Sequence, residues 1–321
     1  MTHSTSLGEA DGTIRSDLGA LTTESLLPGL MELDTLPTAR IAALMNTMDR
    51  EVPVAVEAAV PELALAIDAI VARMRTGGRL IYVGAGTPGR LGIVDASECP
   101  PTFNTDPGLV VALTAGGDAA IRVEIDGAED DVIAGREDLA ALGLTESDAV
   151  VGISASGRTP YVVAALEYAR ARGALSVAVA CNRNALISQA ADHAIEVVIG
   201  PELITGSTRL RAGTAQKLVL NMISTIAMVK LGKTYGNVMV DLQASNEKLR
   251  DRARRMVELV TGVESDRASQ AIDTAHGSAK AAILMLETGA SAREARAILA
   301  GTPSLRQALA GTDRKSESTN D

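Results

Sequence analysis

Tryptophan is absent from this chain and phenylalanine occurs once, at Phe103; with four tyrosines, aromatics make up 2% of its 321 residues. A binder of single-stranded nucleic acid needs stacking rings and a basic groove. This chain has neither, because Asp and Glu outnumber Lys and Arg by 40 to 30, for a formal charge of −10. Cysteine is scarce too. Cys99 and Cys181 are the only two, which rules out a disulfide framework and fits a reducing cytoplasm. The three histidines, His3, His193 and His276, stand far apart and match no ligand spacing, so neither a metal site nor a histidine triad is expected. Acid–base work then falls to carboxylates. No uninterrupted apolar run reaches the roughly 18–20 residues of a membrane helix, and no N-terminal segment has the form of a signal peptide. A soluble protein with no membrane or nucleic-acid partner is expected.

What is present is aliphatic. Apolar residues make up 46% of the chain, enough for one large core of Ala, Val, Leu, Ile and Met with a smaller satellite. Residues 1–20 mix Ser, Thr, Gly and Asp and read as a tail. Short helices broken by prolines follow. Residues 38–48 and then Val52 to Met74 carry apolar groups at helical spacing, Val56, Val60, Leu63, Ile67 and Ile70 among them. Apolar strands are expected at Leu80–Val83, Leu109–Leu113, Ala149–Ser154, Leu175–Ala180 and His193–Ile199, with helices around 128–141, 160–172 and 184–191 and a long one over Thr208–Leu231. Strands alternating with helices mean an α/β fold whose parallel sheet is covered on both faces. A main domain over residues 21–245 is expected, then a helical module over 246–310 broken at Gly262, Gly277, Gly289 and Gly301, and a disordered tail over 311–321.

Two loops draw attention. Gly84-Ala85-Gly86 breaks the first strand, and Thr87-Pro88 reads as a helix N-cap with proline in the first turn. After the strand 149–154 comes Ser154-Ala155-Ser156-Gly157-Arg158-Thr159-Pro160, two hydroxyls and a glycine before a second Thr-Pro start. Unpaired N–H groups at such helix starts hold anions. Either loop alone is compatible with ordinary capping; two at the ends of strands in one sheet favour a shared ligand. Neither has G-x-G-x-x-G spacing or a P-loop lysine, so a sugar phosphate fits better than a nucleotide. Gly86, Thr87, Ser154, Ser156, Gly157 and Thr159 are the candidate phosphate ligands. Lys217 is either a further one or a surface cation; the pattern leaves both open.

Two acids are candidates for proton transfer. Glu98 precedes Pro100-Pro101, which should end its helix, and the macrodipole disfavours a carboxylate at a C-terminus. Glu129, in Asp126-Gly127-Ala128-Glu129-Asp130-Asp131, stands where a helix begins, and there the dipole alone accounts for an acid.

Taken together, these residues resemble the N-acetylmuramic acid 6-phosphate etherases of the sugar isomerase (SIS) domain superfamily. The matching segments are Gly84–Thr87, Gly89–Gly92, Asp95-Ala96-Ser97-Glu98-Cys99-Pro100-Pro101 with Thr102, Gly127–Asp130, Ala155–Tyr161, Gly213–Asn221, Gly236-Asn237 and Met239–Asp241. The resemblance implies an SIS-type three-layer αβα sandwich with N-terminal helices and a small C-terminal helical module. It further implies a homodimer and a cofactor-free lyase that splits the lactyl ether of N-acetylmuramic acid 6-phosphate, giving N-acetylglucosamine 6-phosphate and D-lactate, in cell-wall sugar recycling. Glu98 and Glu129 map onto the family's two catalytic glutamates, with Glu98 as acid and Glu129 as base. The chain departs from the family pattern at Pro88, where a serine is usual, at Phe103 for Tyr, at Met48 for Glu, and at Leu27-Pro28-Gly29-Leu30 for Asn-Pro-x-Ser. The loss of those polar groups motivates the alternative of a non-catalytic, sugar-phosphate-binding regulator of the same superfamily.

Overall fold

Five apolar segments pair into one sheet, β1 (Leu80–Gly84), β2 (Val110–Thr114), β3 (Ala149–Ser154), β4 (Leu175–Ala180) and β5 (His193–Glu196), in the order β2-β1-β3-β4-β5. The computed structural model of the chain describes residues 21–241, 247–302 and 304–317; the expected tail over residues 1–20 lies outside them. β1 with β3, β3 with β4, and β4 with β5 pair in parallel. Every position of β1, β3 and β4 is buried, which is why these strands read as continuous apolar runs rather than alternating ones. β5 stops at Glu196, three residues short of the expected Ile199.

The strand order fixes where a ligand goes. The chain leaves β1 for β2 on one side and continues from β3 to β4 and β5 on the other, so β1 and β3 flank the switch point. Crevices beyond the carboxyl ends of strands form at such points. Gly84 pairs with Ile153, so the two strands end almost level and present both candidate loops side by side.

By contact the chain groups into two units, one holding the chain up to Val94 and Ala112–Asn221, the other Asp95–Val111 and Met222 onward. In the first, α1 (Thr38–Asp49) and α2 (Glu51–Arg75) precede the sheet. α2 buries Val52, Val56, Leu63, Ile67, Ile70 and Met74, a stripe at helical spacing that packs on β3, β4 and β5. α4 (Val132–Ala141), α5 (Pro160–Ala171) and α6 (Leu186–Gln189) fill the other connections. Tyr161 on α5 donates its hydroxyl to Asp138 of α4 at 2.6 Å.

At the amino ends of β1 and β3 lies an ion pair between the half-buried Arg79 and the buried Asp148. Arg79 meets Asp148 through Nε to Oδ1 at 3.0 Å and Nη2 to Oδ2 at 2.8 Å, and the backbone amides of Arg79 and Thr145 donate to the same carboxylate.

α3 (Thr87–Phe103) does not stop where the prolines suggest. Pro100 and Pro101 lie inside it, and the chain turns only at Asn104, with φ +50°. Each interior proline gives up a helical hydrogen bond, but burial of Ala96, Cys99 and Phe103 holds the last turns in place. Glu98 is therefore not a C-terminal carboxylate set against the dipole; it is an exposed residue within α3.

In the second unit the chain continues from α7 (Arg211–Lys230) into a hairpin of β6 (Thr234–Tyr235) and β7 (Val238–Met239) around Gly236-Asn237. Five helices follow, α8 (Glu247–Thr261), α9 (Ser265–Thr274), α10 (Ala279–Thr288), α11 (Ala292–Gly301) and α12 (Leu305–Glu317). The central α10 packs on α8, α9, α11 and α12, around Val240, Val257, Ile272, Ile283, Leu284 and Leu305. By contact this unit also takes in Asp95–Val111 and the part of α7 from Met222, and the unbroken α7 carries no sequence signal at that point. α12 also extends to Glu317, into the stretch expected to be a tail; residues 318–321 lie outside the described residues. Among the described residues no helix is long and apolar enough to cross a membrane.

Candidate active site

The first loop turns at Gly86, whose φ is +59°. The Gly86 carbonyl accepts from the Arg90 amide at 3.1 Å, so Gly86 takes the N-cap position. Thr87 is then the first helical residue and Pro88 the second, one place later than the sequence suggests. The proline removes one of the free N–H groups that the start of α3 would otherwise offer.

The second loop is a network of hydroxyls. Ser154 Oγ, buried at the end of β3, lies 2.7 Å from Thr159 Oγ1 and 3.3 Å from Ser156 Oγ, and accepts from the Gly157 amide at 3.0 Å. Thr159 stands at the N-cap of α5 but makes no capping bond with its side chain. Its hydroxyl is spent on Ser154; Pro160 has no N–H and the amides of Val162 and Val163 donate to the Thr159 carbonyl at 3.0 Å, so this loop offers a ligand mainly hydroxyls. Gly157 has φ +73°, and a Cβ there would run into the Cβ of Ala185. Glycine is required on both counts.

A cavity of about 490 Å³ lies between these loops, within the range of small-molecule sites. Gly86, Thr87, Pro88 and Arg90 line it from one side, and Ser154, Ala155, Ser156 and Thr159 from the other. The segment after β2, Val123 to Glu129, closes a third side, with Glu24 and Thr208 at the rest.

Glu129 sits in a single 3-10 turn, Ala128–Asp130, just before α4. The helix is capped by its neighbour: Asp131 Oδ1 accepts from the amides of Ile133 and Ala134 at 3.0 and 2.9 Å. The dipole argument that made Glu129 ordinary thus belongs to Asp131, and the Glu129 side chain is left to the cavity. Partial desolvation raises its pKa above the ordinary glutamate value, with further contributions from the negative charges of Asp130 and Glu124. Although solvent still reaches it, such a carboxyl is better suited to exchanging a proton near neutrality than a free one.

Arg90 holds that third wall. Its Nε donates to the carbonyls of Ala120 and Ile121 at 3.1 and 3.0 Å, and Nη2 to those of Ala120 and Val123 at 2.9 and 3.5 Å. It is also the only cation among the described residues lining the cavity, against the carboxylates of Glu24, Glu124, Asp126 and Glu129. An anion bound here would rest on helix-start amides and hydroxyls rather than on paired charge.

The cavity thus gathers six of the nine candidates, Gly86, Thr87, Ser154, Ser156, Thr159 and Glu129. Gly157 shapes the second loop without lining the cavity. Lys217 is exposed on α7 and Glu98 exposed on α3, and neither is part of the lining. Glu24, Arg90, Glu124 and Asp126 were not singled out from the sequence. Arg90 stood in the matching Gly89–Gly92 segment and Asp126 in the acidic run Asp126–Asp131, but nothing in spacing marked Glu24 or Glu124. The two cysteines are free and buried, and burial above all pushes both thiols up to about 12, with nearby carboxylates adding to it.

Residues 133–226 match the SIS domain, and residues 62–170 match the glucokinase regulatory protein N-terminal SIS domain. With the parallel sheet and its crevice, this defines an SIS-domain protein. The chain is 57% identical over 303 residues to the N-acetylmuramic acid 6-phosphate etherase of Streptomyces avermitilis, covering 94% of this chain and 97% of that one. It is 62% identical to the protein of that name from Streptomyces coelicolor (85% and 88% covered) and 58% identical to that from Caldanaerobacter subterraneus (84% and 88%). The chain belongs to the N-acetylmuramic acid 6-phosphate etherase family.

Proposed function

We propose that this protein is a lyase that cleaves the D-lactyl ether of N-acetylmuramic acid 6-phosphate to give N-acetylglucosamine 6-phosphate and D-lactate. The observation that carries the reading is the placing of Glu129 across one cavity from two helix-start loops rich in hydroxyls and amides. The names borne by its relatives support it. The phosphate would rest on Gly86, Thr87, Ser154, Ser156 and Thr159. Opening of the pyranose exposes an aldehyde that acidifies the proton on C2. Glu129 removes that proton while an acid protonates the ether oxygen on C3, because lactate leaves poorly as an alkoxide. Water then adds at C3. We assign the acid to Glu98, on the strength of the Asp95–Pro101 resemblance; the cavity lining does not include it. No step calls for a cofactor. The reaction belongs to cytoplasmic recycling of cell-wall sugars, and the family resemblance is the ground for a homodimer.

Lactate release from the muramic substrate tests the reading on wild type, Glu129→Gln and Glu98→Gln. Each variant is expected to lose about a hundredfold or more in kcat. Equal rates in all three overturn the assigned roles, and no lactate from wild type overturns the activity. A second reading, binding without turnover, rests on the polar groups missing at Leu27, Leu30 and Pro88; calorimetric binding of the substrate with no lactate released would support it.

A further inference from the structure

Glu24 reaches the cavity by a route that the chain takes care to fix. The segment before α1 forms a 3-10 turn, Thr22–Glu24, with Leu21 and Thr23 buried. Asn182, itself 2% exposed, stitches that turn down with every polar atom of its amide. Its Oδ1 accepts from the Thr22 amide at 2.9 Å and from Thr22 Oγ1 at 2.8 Å. Its Nδ2 donates to Thr23 Oγ1 at 3.1 Å and to the Ala155 carbonyl at 3.0 Å. Ala155 lies between Ser154 and Ser156, so the N-terminal segment is tied to the loop that offers hydroxyls to the ligand. The Glu24 carboxyl then passes Gly206, where a Cβ would sit 2.9 Å from Oε2.

Glu24 adds a carboxylate to a cavity whose lining already carries Glu124, Asp126 and Glu129, and it would repel the phosphate of a phosphorylated ligand. A carboxylate in such a place is useful toward the neutral part of the ligand, whose hydroxyls and acetamido N–H are donors. We propose that Glu24 is a sugar-binding residue that accepts a hydrogen bond from a ring hydroxyl or the amide N–H of an amino-sugar phosphate, with Asn182 as its positioning residue. The inference rests on the cavity taking the sugar phosphate proposed above.

The test pairs two measurements on the full chain, lactate-release kinetics and calorimetric affinity for N-acetylglucosamine 6-phosphate. Glu24→Ala is expected to raise KM and weaken that affinity by about tenfold, as the loss of a hydrogen bond to a charged group does, while kcat stays within about threefold. Asn182→Ala is expected to show the same split, KM up and kcat little changed, which general loosening would not produce. Because Glu24 is only partly buried, its variant should keep the wild-type circular dichroism, so a misfolded Asn182→Ala leaves Glu24→Ala to decide. Unchanged KM and affinity in folded Glu24→Ala overturn this inference alone. A wild type that binds the sugar phosphate but releases no lactate leaves the affinity comparison to decide it. A wild type that binds no sugar phosphate overturns both readings.

Discussion

Gly157 illustrates how one residue supports the site without touching it. Its left-handed backbone brings its amide to Ser154 Oγ at 3.0 Å, and its lack of a Cβ lets the loop pass Ala185. Gly157→Ala is expected to cost about 2–3 kcal/mol, combining a left-handed alanine with a steric clash. Denaturant unfolding reads the loss, and KM for the phosphorylated substrate should rise as Ser154 and Thr159 shift. Wild-type stability would show that the loop can turn another way. The glycine and both hydroxyls were legible in the sequence, because a Gly-x-Thr-Pro start after an apolar strand has few structural solutions. The two glutamates were harder. The pattern could not say which acid of Glu129, Asp130 and Asp131 caps α4, since all three lie within reach of its first turn; only the backbone geometry assigns the cap to Asp131. For Glu98 the prolines misled, because burial of Cys99 and Phe103 outweighs the local preference to stop.

At the scale of elements, the strands and most helices follow from apolar spacing alone, and β3, β4 and the breaks at Gly262, Gly277 and Gly289 fall where the sequence puts them. The segment from Ala115 to Asp131 has no such period. It is ordered by contacts distant in the chain, chiefly the Arg90 fork on the carbonyls of Ala120, Ile121 and Val123. This strap ties the first turn of α3 to the segment that ends in Glu129, so the anion loop and the proposed base share one support. Arg90→Ala is expected to speed amide exchange over residues 117–127 and to lower kcat by on the order of ten- to hundredfold, through misplacement of Glu129. Arg90→Lys should restore little, because an ammonium cannot reproduce the planar fork. Wild-type exchange together with wild-type kcat in Arg90→Ala would show that the segment holds itself.

For the molecule as a whole, function and stability sit at opposite ends of the sheet. The carboxyl ends of β1 and β3 carry the loops and the cavity; their amino ends carry the Arg79–Asp148 pair. Burial by itself would raise the Asp148 pKa, but the Arg79 guanidinium and the amides of Thr145 and Arg79 reverse it and hold the carboxyl at about 2. A carboxyl whose folded pKa is depressed binds its proton more weakly in the folded chain than in the unfolded one. Its contribution is therefore complete above about pH 4 and is lost as pH falls toward 2. Discounted for the partly solvated arginine, that contribution is about 1–2 kcal/mol. Asp148→Asn should be less stable than wild type by at least this amount at pH 7, since it also leaves Arg79 without its partner. The gap should narrow between pH 4 and pH 2, where wild type loses the same interaction by protonation. Urea unfolding of both proteins across that range checks the sign, and a gap that is constant or widens on acidification would place the acid-sensitive interaction elsewhere. Because the pair lies at the far end of β1 and β3 from Glu129, the residual activity of folded Asp148→Asn at pH 7 should match wild type even as its unfolding midpoint drops.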